Sequence, residues 1–374
     1  MAKQFEYTTL AHRYTARYPV ITYVGTQVNF WILANVLLVI IVRLYHYVVS
    51  ELYATPVPGE LATTLYAGVV LGLIYGIGFG LTGHYFDRKV FKKLGLGMLL
   101  LLKTLVSTVL FVILFLLFRF VLFDLVVSPA LAIHNTRLNE EAWRYLFFML
   151  LIYYFFMTLV ISFVNQVNRK YGPGVLVPLL LGRYRHPKEE EKIFMFMDLK
   201  SSTAIAEKLG HLEYSSFIRD CFYDINEVLY PFRAQVYQYV GDEIVVMWPV
   251  REGLRDLACI RFYFAVAKQI QGRSAHYLTR YGLLPAFKAG MHMGKVTAVE
   301  IGEIKKDIAY HGDTLNTAAR IQSVCNEYQC DFLVSEHLIN VVNISEEFRV
   351  DNLGAILLRG KSERMGIVSV RERS

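Results

Sequence analysis

Charge is scarce in this sequence. Only 19% of its 374 residues are Asp, Glu, Lys or Arg, while 55% are hydrophobic and 14% aromatic. Soluble domains carry about 25% charged residues, so this balance excludes intrinsic disorder and makes a membrane-embedded part the first expectation. Cysteine is scarce as well. The four residues Cys221, Cys259, Cys325 and Cys330 all fall in the second half, and none belongs to a Cys or His pair at zinc-ligand spacing, which argues against a zinc site. Acid is missing altogether from four long apolar runs, at 24–48, 61–81, 96–123 and 143–164. Without carboxylates they hold no visible proton relay or intramembrane ion pair, and a transporter reading is weak.

A broad basic surface is lacking too, although the net charge is +7. Residues 1–170 hold 14 Lys plus Arg against 7 Asp plus Glu, whereas residues 171–374 hold 25 of each. The second half has no basic stretch with interleaved aromatics, so no nucleic-acid partner is expected. The excess charge sits beside the apolar runs instead.

Each run can cross a bilayer, which takes about 20 helical residues. The first is no cleaved signal, because 23 mostly polar residues precede it and no small-residue cleavage site follows. Basic residues accumulate on the cytoplasmic side of short loops. The leader has Lys3, Arg13 and Arg17, the first loop only Glu51 and Glu60, the second Arg88, Lys89, Lys92 and Lys93, and the third a mixture of Asp124, Arg137, Glu140 and Glu141. The alternation predicts a multi-pass protein of the cell membrane with both termini in the cytoplasm. Arg43, Lys103 and Arg119 lie near span ends, where long side chains snorkel to the headgroups. Tyr153, Tyr154, Phe155 and Phe156 read as packing or as an interface belt.

Residues 165–191, punctuated by Pro173, Pro178 and Pro187, form the boundary between domains. Proline disfavours one unbroken helix out of the last span, although a short helix could start at Pro178. The segment is either a coupling element or a passive tether.

From 192 to 374 strand and helix patterns alternate. IFMFMDL is an apolar strand ending in Asp198, and SSTAIAEKLG starts a helix. A strand leading into a helix N-terminus offers free N–H groups to a phosphate, which marks Leu199, Lys200, Ser201, Ser202 and Thr203. AQVYQYVGDEIVVMW reads as a hairpin with Gly241-Asp242 at its turn. Carboxylates at two strand ends suit a hard cation such as Mg²⁺. Asn316 and Arg320 are four apart on one helix face and can engage one substrate together. Lys361 follows Gly360 in a strand-turn-strand. Taken singly, each has an ordinary explanation: a helix N-cap, a turn, a solvated charge.

In combination they resemble the class III nucleotidyl cyclases over about residues 191–370. MFMDLKSST and YVGDEIVVMW look like the family's two metal motifs, which implies that Asp198, the Leu199 carbonyl and Asp242 hold two Mg²⁺ or Mn²⁺ ions. HGDTLNTAARIQ is similar to the family's most distinctive segment, with Asn316 orienting the ribose and Arg320 contacting the α-phosphate. RGK resembles the triphosphate-binding motif, with Lys361 as its lysine, and FKAGMHMGKVTAVEIG looks like the strand pair preceding the Asn316 helix. The resemblance implies a ferredoxin-like, palm-type antiparallel sheet with flanking helices behind a four-span helical membrane domain. It also implies a head-to-tail homodimer with shared sites and the conversion of ATP to cyclic AMP and pyrophosphate.

The purine-reading positions depart from the family pattern. Gln238 stands where adenylate cyclases commonly have Lys and guanylate cyclases Glu, and Ala309 where Asp or Thr, or Cys, is usual. Gln238 can pair with adenine or, with its amide flipped, with guanine. The absence of the guanine-type acid and the likeness to membrane-bound prokaryotic adenylate cyclases favour ATP. Guanylate cyclase with the same mechanism, or a catalytically silent sensor or scaffold, are the alternatives. A diguanylate cyclase is disfavoured, because Val240-Gly241-Asp242-Glu243-Ile244 lacks the GG[DE]EF signature. The spans are compatible with an unidentified ligand and equally with an anchor that assists dimerisation.

Overall fold

The structure is a computed structural model describing residues 19–55, 59–89, 96–121, 139–171, 182, 184–303, 307–342, 344, 346–360 and 363–373. Lys361 therefore lies outside the described residues, as do Lys3, Arg13, Arg17, Lys92, Lys93, Asp124, Arg137, Pro173, Pro178 and Arg183. The chain divides into two compact units, one formed by residues 18–171 and the other mainly by residues 172–374.

The first unit contains α1 (Pro19–Tyr53), α2 (Leu61–Lys89), α3 (Leu96–Leu117) and α4 (Glu140–Tyr171). All four are long and apolar enough to cross a membrane. Trp31, Tyr75, Phe111 and Tyr154, one from each helix, meet in a single aromatic core. Trp31 stacks on Tyr154 at 5.3 Å, and the Tyr154 hydroxyl donates to Asn35 Oδ1 at 2.6 Å. Tyr153 and Tyr154 are therefore packing, whereas Phe155 and Phe156 stay exposed on the outside of the bundle. Gly72 and Gly76 let α2 lie directly on α1: a Cβ on either would stand 2.5 and 2.4 Å from the Cα of Ile32 and Val28. Gly68 and Gly80 extend the spacing to a small-residue stripe of the kind that packs membrane helices.

Arg119 and Arg43, basic residues near span ends, meet partners there. Arg119 pairs with Glu140 at 2.6 Å and lies over the Trp143 ring, while Arg43 donates to Gly59 O at 2.8 Å. Lys103 lines a pocket between the helices.

The second unit contains β1 (Lys188–Leu199), α5 (Ser202–Leu229), β2 (Gln235–Val240), β3 (Glu243–Pro249), α6 (Val250–Leu254), α7 (Ala258–Gly272), α8 (Ser274–Tyr281), β4 (Phe287–Ile301), β5 (Asp307–His311), α9 (Asp313–Ser323), β6 (Phe332–Ser335), α10 (Glu336–Val341), β7 (Phe348–Ile356) and β8 (Met365–Glu372). The sheet runs β2-β3-β1-β4-β6-β8-β7, with β5 on β4. Every pair is antiparallel except β4–β6. A parallel pair needs a crossover, and β5 with α9 supplies it, which lays α9 across the sheet.

Central β1 is buried on both faces. Ile193, Met195 and Met197 enter the main core with Phe217 of α5 and Phe262 of α7, whereas Phe194 turns the other way to Tyr310 and Ala318. Asp198 shares the second face by strand alternation. On β4, Gly290 and Gly294 keep that face clear for α9: a Cβ on Gly290 would stand 2.1 Å from Gln322 N, and one on Gly294 2.6 Å from Thr314 Oγ1.

Candidate active site

The site begins at two neighbouring strand ends. Asp198, one residue before the end of β1, lies opposite Glu243, the first residue of β3, and Asp242 precedes Glu243 in the two-residue turn after β2. Gly241 takes φ +62° there, a conformation that favours glycine and allows the tight hairpin. Asp198 and Asp242 are thus brought together, with Glu243 between them.

Burial first, and then the negative charges of Asp198 and Asp242, push the Glu243 carboxyl up to about 7, against the opposing charge of Lys288. Like charges that crowd one another make a cation favourable. Lys288, opposite Asp198 on β4, places its ammonium 3.3 Å from Asp198 Oδ2. The same oxygen accepts from Gln322 Nε2 of α9 at 3.1 Å. The carboxylate is therefore held from two sides.

These residues fit a hard divalent cation in one particular way. Among the described residues no group of three or more His, Cys, Asp or Glu stands at metal-holding spacing. A pair of carboxylates with a backbone carbonyl, completed by phosphate and water oxygens, is the donor set that Mg²⁺ takes in nucleotide sites. The cysteines add nothing, because burial pushes Cys221, Cys259 and Cys325 up to about 12 and keeps them as thiols.

Beyond Asp198 the chain turns through Ser201, at φ 55°, into α5, whose start has no side-chain cap. Ser201 thus stands at the N-cap without acting through its hydroxyl. The Lys200 amide donates to Ala286 O, and its side chain pairs with Asp331. Lys200 is accordingly committed elsewhere, which leaves the amides from Ser201 to Thr203 to face an anion.

Asn316 and Arg320 share one side of α9, with Asn316 exposed and Arg320 half-buried. A Cβ on Gly360 would lie 3.3 Å from Arg320 Nη2, so the backbone just before Lys361 abuts the guanidinium. Ala318 and Gln322 occupy the opposite side of the helix, against the sheet. Within one chain, α9 therefore turns Gln322 toward Asp198 and Asn316 and Arg320 away from it.

Gln238 is exposed on β2 and Ala309 is buried on β5. Their neighbours meet across the sheet face, where Tyr310 N–H donates to the Tyr237 hydroxyl at 3.3 Å. A register shift between Val236 and Gln238 accompanies Tyr237. Glu243, Lys288 and Gln322 were not among the sequence-derived site residues. Glu243 adjoins Asp242, and Gln322 lies six residues beyond Asn316, but cross-strand partners such as Lys288 emerge only from register.

Residues 185–369 match the family described as adenylate and guanylate cyclase catalytic domain. Adenylate cyclase 2 of Rhizobium meliloti is 33% identical over 210 residues, 56% of this chain and 58% of that protein. Guanylate cyclase 2D of Rattus norvegicus is 25% identical over 195 residues, 50% of this chain and 17% of that protein. The chain thus spans less than two thirds of either relative. Among solved structures, a bacterial light-regulated adenylyl cyclase superposes with a TM-score of 0.50 at 20% identity, over 59% of this chain and 65% of its own, a likeness of fold.

Proposed function

Residues 185–369 belong to the adenylate and guanylate cyclase catalytic domain family, and on that premise we propose that the chain is a membrane-anchored adenylate cyclase. It converts ATP to 3′,5′-cyclic AMP and pyrophosphate in a homodimer with shared sites. The observation that carries this reading is the division of α9, with Gln322 on Asp198 and Asn316 and Arg320 facing away. Asn316 and Arg320 then serve the carboxylates of a second copy, and each dimer holds two such sites.

The chemistry follows from the residue types. Asp198, Asp242 and the Leu199 carbonyl hold two Mg²⁺ or Mn²⁺ ions, which when bound stabilise the attacking 3′-oxygen and the departing pyrophosphate. Arg320 meets the charge that builds on the α-phosphate with a forked guanidinium that Lys would not reproduce. Asn316 fixes the ribose and lowers the entropic part of the barrier. Lys361 and the first amides of α5 grip the polyphosphate. Asp198, held by Lys288 and Gln322, is oriented before substrate arrives.

ATP is favoured over GTP because Gln238 replaces the acid that would accept from guanine, and because the 33%-identical relative is named an adenylate cyclase. The set Asp198, Asp242, Asn316, Arg320 and Lys361 speaks against a silent scaffold, which has no need of five converging polar groups. The four apolar helices anchor the enzyme in the cell membrane, with both termini in the cytoplasm as the loop charges require.

The test is product formation by the full-length chain in nanodiscs, supplied with ATP or GTP and Mg²⁺ or Mn²⁺. Cyclic AMP in at least tenfold excess over cyclic GMP is expected. A GTP preference overturns the purine assignment, and absence of both products overturns the enzyme reading.

A further inference from the structure

A bulge in β2 re-aims one aromatic side chain. Val236 stands opposite Val246 and Gln238 opposite Val245, which makes Tyr237 the extra residue of the strand. Bulges of this kind turn a side chain to a new face and recur beside active sites. Val236 and Val246 belong to the core that α5 covers, and Tyr239 packs on Phe222 of α5 at 4.9 Å. Val245 and Tyr237 belong to the cluster on the other face, together with Ala318 of α9. Residues directly opposite on a ladder share a face, so Gln238 lies on the side of Val245. Regular alternation would send Tyr237 and Gln238 to opposite faces; the bulge puts both on the face that carries α9.

Tyr237 uses this position to span the face. Its ring meets Phe194 of β1 at 6.0 Å and Tyr310 of β5 at 5.3 Å, edge-on in both cases, and its hydroxyl accepts from Tyr310 N–H at 3.3 Å. Edge-to-face packing is a preferred aromatic geometry, so the ring is held from two sides. β5 is laddered to β4, and Tyr237 ties it to β2 as well. The tie falls on the peptide that joins Ala309 to Tyr310, and on β2 it starts from the residue next to Gln238. A tyrosine turns about only two side-chain torsions, which makes it a stiff spacer between the two strands.

We propose that Tyr237 is a positioning residue that determines purine specificity: it holds β5 at a fixed distance from β2 and so sets the slot in which Gln238 reads the base. The inference rests on the cyclase reading, in which Gln238 and Ala309 adjoin the purine. The Gln238 amide pairs with adenine in one orientation and with guanine in the other, so its chemistry alone discriminates weakly. Specificity is a difference between two affinities, and a slot of fixed width supplies it by admitting one base edge in register and not the other. Ala309 brings no polar side chain to β5. What that strand offers the base is its backbone, and Tyr237 is bonded to that backbone.

The experiment compares the full-length wild type with Tyr237→Phe and Tyr237→Leu in nanodiscs, each checked by a thermal melt. The readout is the ratio of Kd values for 3′-deoxy-ATP and 3′-deoxy-GTP with Mn²⁺, measured by calorimetry, because nucleotides without a 3′-hydroxyl report purine choice apart from turnover. The wild type is expected to favour one purine by at least tenfold. Tyr237→Phe keeps the ring and loses only the hydroxyl, and it is expected to narrow the ratio to about threefold or less, with Tyr237→Leu narrowing it at least as far. Narrowing in Tyr237→Leu alone supports the proposal with the ring as the spacer. A ratio kept in both variants overturns it, and so does an equal weakening toward both nucleotides, which is what a packing role gives. A wild type that binds 3′-deoxy-ATP yet forms no cyclic product from ATP or GTP fails the enzyme reading while the ratio still judges Tyr237; a wild type that binds neither nucleotide overturns both.

Discussion

Gly290→Ala is the sharpest single perturbation of the catalytic unit. The added methyl would stand 2.1 Å from Gln322 N, 2.6 Å from its Cα and 2.7 Å from Ala318 O. All three are backbone atoms, so no side-chain rotation relieves the clash. Reaching an ordinary contact of 3.4 Å requires α9 to withdraw from β4 by about 1.3 Å. The helix carries Asn316 and Arg320 outward and Gln322 inward to Asp198, so both parts of the site move. A misplacement of about 1 Å costs on the order of 100-fold in rate, and overpacking of this kind costs about 1–3 kcal/mol of stability. At roughly 2–4 °C per kcal/mol for a unit of this size, Tm falls by several degrees. The assay is kcat for cyclic AMP formation by the full-length chain in nanodiscs, alongside a thermal melt. Gly272→Ala is the control, since nothing lies within 4 Å of a Cβ there. Wild-type kcat and Tm in Gly290→Ala, matching the control, would refute the reasoning that α9 is seated by that glycine.

Asp198→Ala and Arg320→Ala are each expected to be inactive, whereas co-expression restores activity to about a quarter of wild type, because half the dimers are mixed and each mixed dimer has one intact site; no recovery in the co-purified mixture counts against sharing. Gln238→Glu is expected to raise the GTP-to-ATP ratio of kcat/KM by about tenfold, since a carboxylate accepts from guanine and repels the adenine N1 lone pair; an unchanged ratio removes Gln238 from purine reading. Chelation with EDTA is expected to abolish product formation, Mn²⁺ to restore it, and Asp198→Asn to lose the bound-Mn²⁺ signal in electron paramagnetic resonance; retention of that signal places the ion elsewhere. Lys288→Met removes a cation 3.3 Å from Asp198, and Mn²⁺ is expected to bind about fivefold more tightly, a change of about 1 kcal/mol for a partly exposed pair; weaker Mn²⁺ binding would show that Lys288 positions the carboxylate rather than competing for it.

The membrane helices and the ends of β1 and β3 were legible in the sequence because each announces itself locally, by uninterrupted apolar length or by an acid at the edge of a strand. The Gly68, Gly72, Gly76 and Gly80 stripe was equally local and was passed over, since hydropathy masks spacing. Lys288 and Gln322 were illegible for a different reason. Both act through register, which fixes Lys288 opposite Asp198 and depends on Gly290 admitting α9. Lys200 was marked for a free backbone N–H, whereas register gives that N–H to Ala286 O, and its side chain pairs with Asp331 from more than a hundred residues away. Arg119 found Glu140 because α4 begins at that residue, three positions before the apolar run from which its start was read.

The charges of the site are segregated by α9. On its sheet side, Asp198, Asp242 and Glu243 crowd one another enough to push Glu243 up to about 7, with Lys288 only partly offsetting them. On its outer side, Arg320 abuts the backbone of Gly360 with Asn316 one turn away. The 25 basic and 25 acidic residues of this half give it no net field to gather a nucleotide, so attraction must be local. In the homodimer proposed above, a second copy docked head to tail would set the cationic face of one chain against the carboxylates of the other, twice. Docking with like faces together would instead oppose carboxylate to carboxylate without a nucleotide or metal between them, at a cost of several kcal/mol for such juxtapositions. In the proposed homodimer the asymmetry of α9 would select the orientation of docking as well as complete the sites, and the same neutrality of the remaining surface would leave that selection to these few residues.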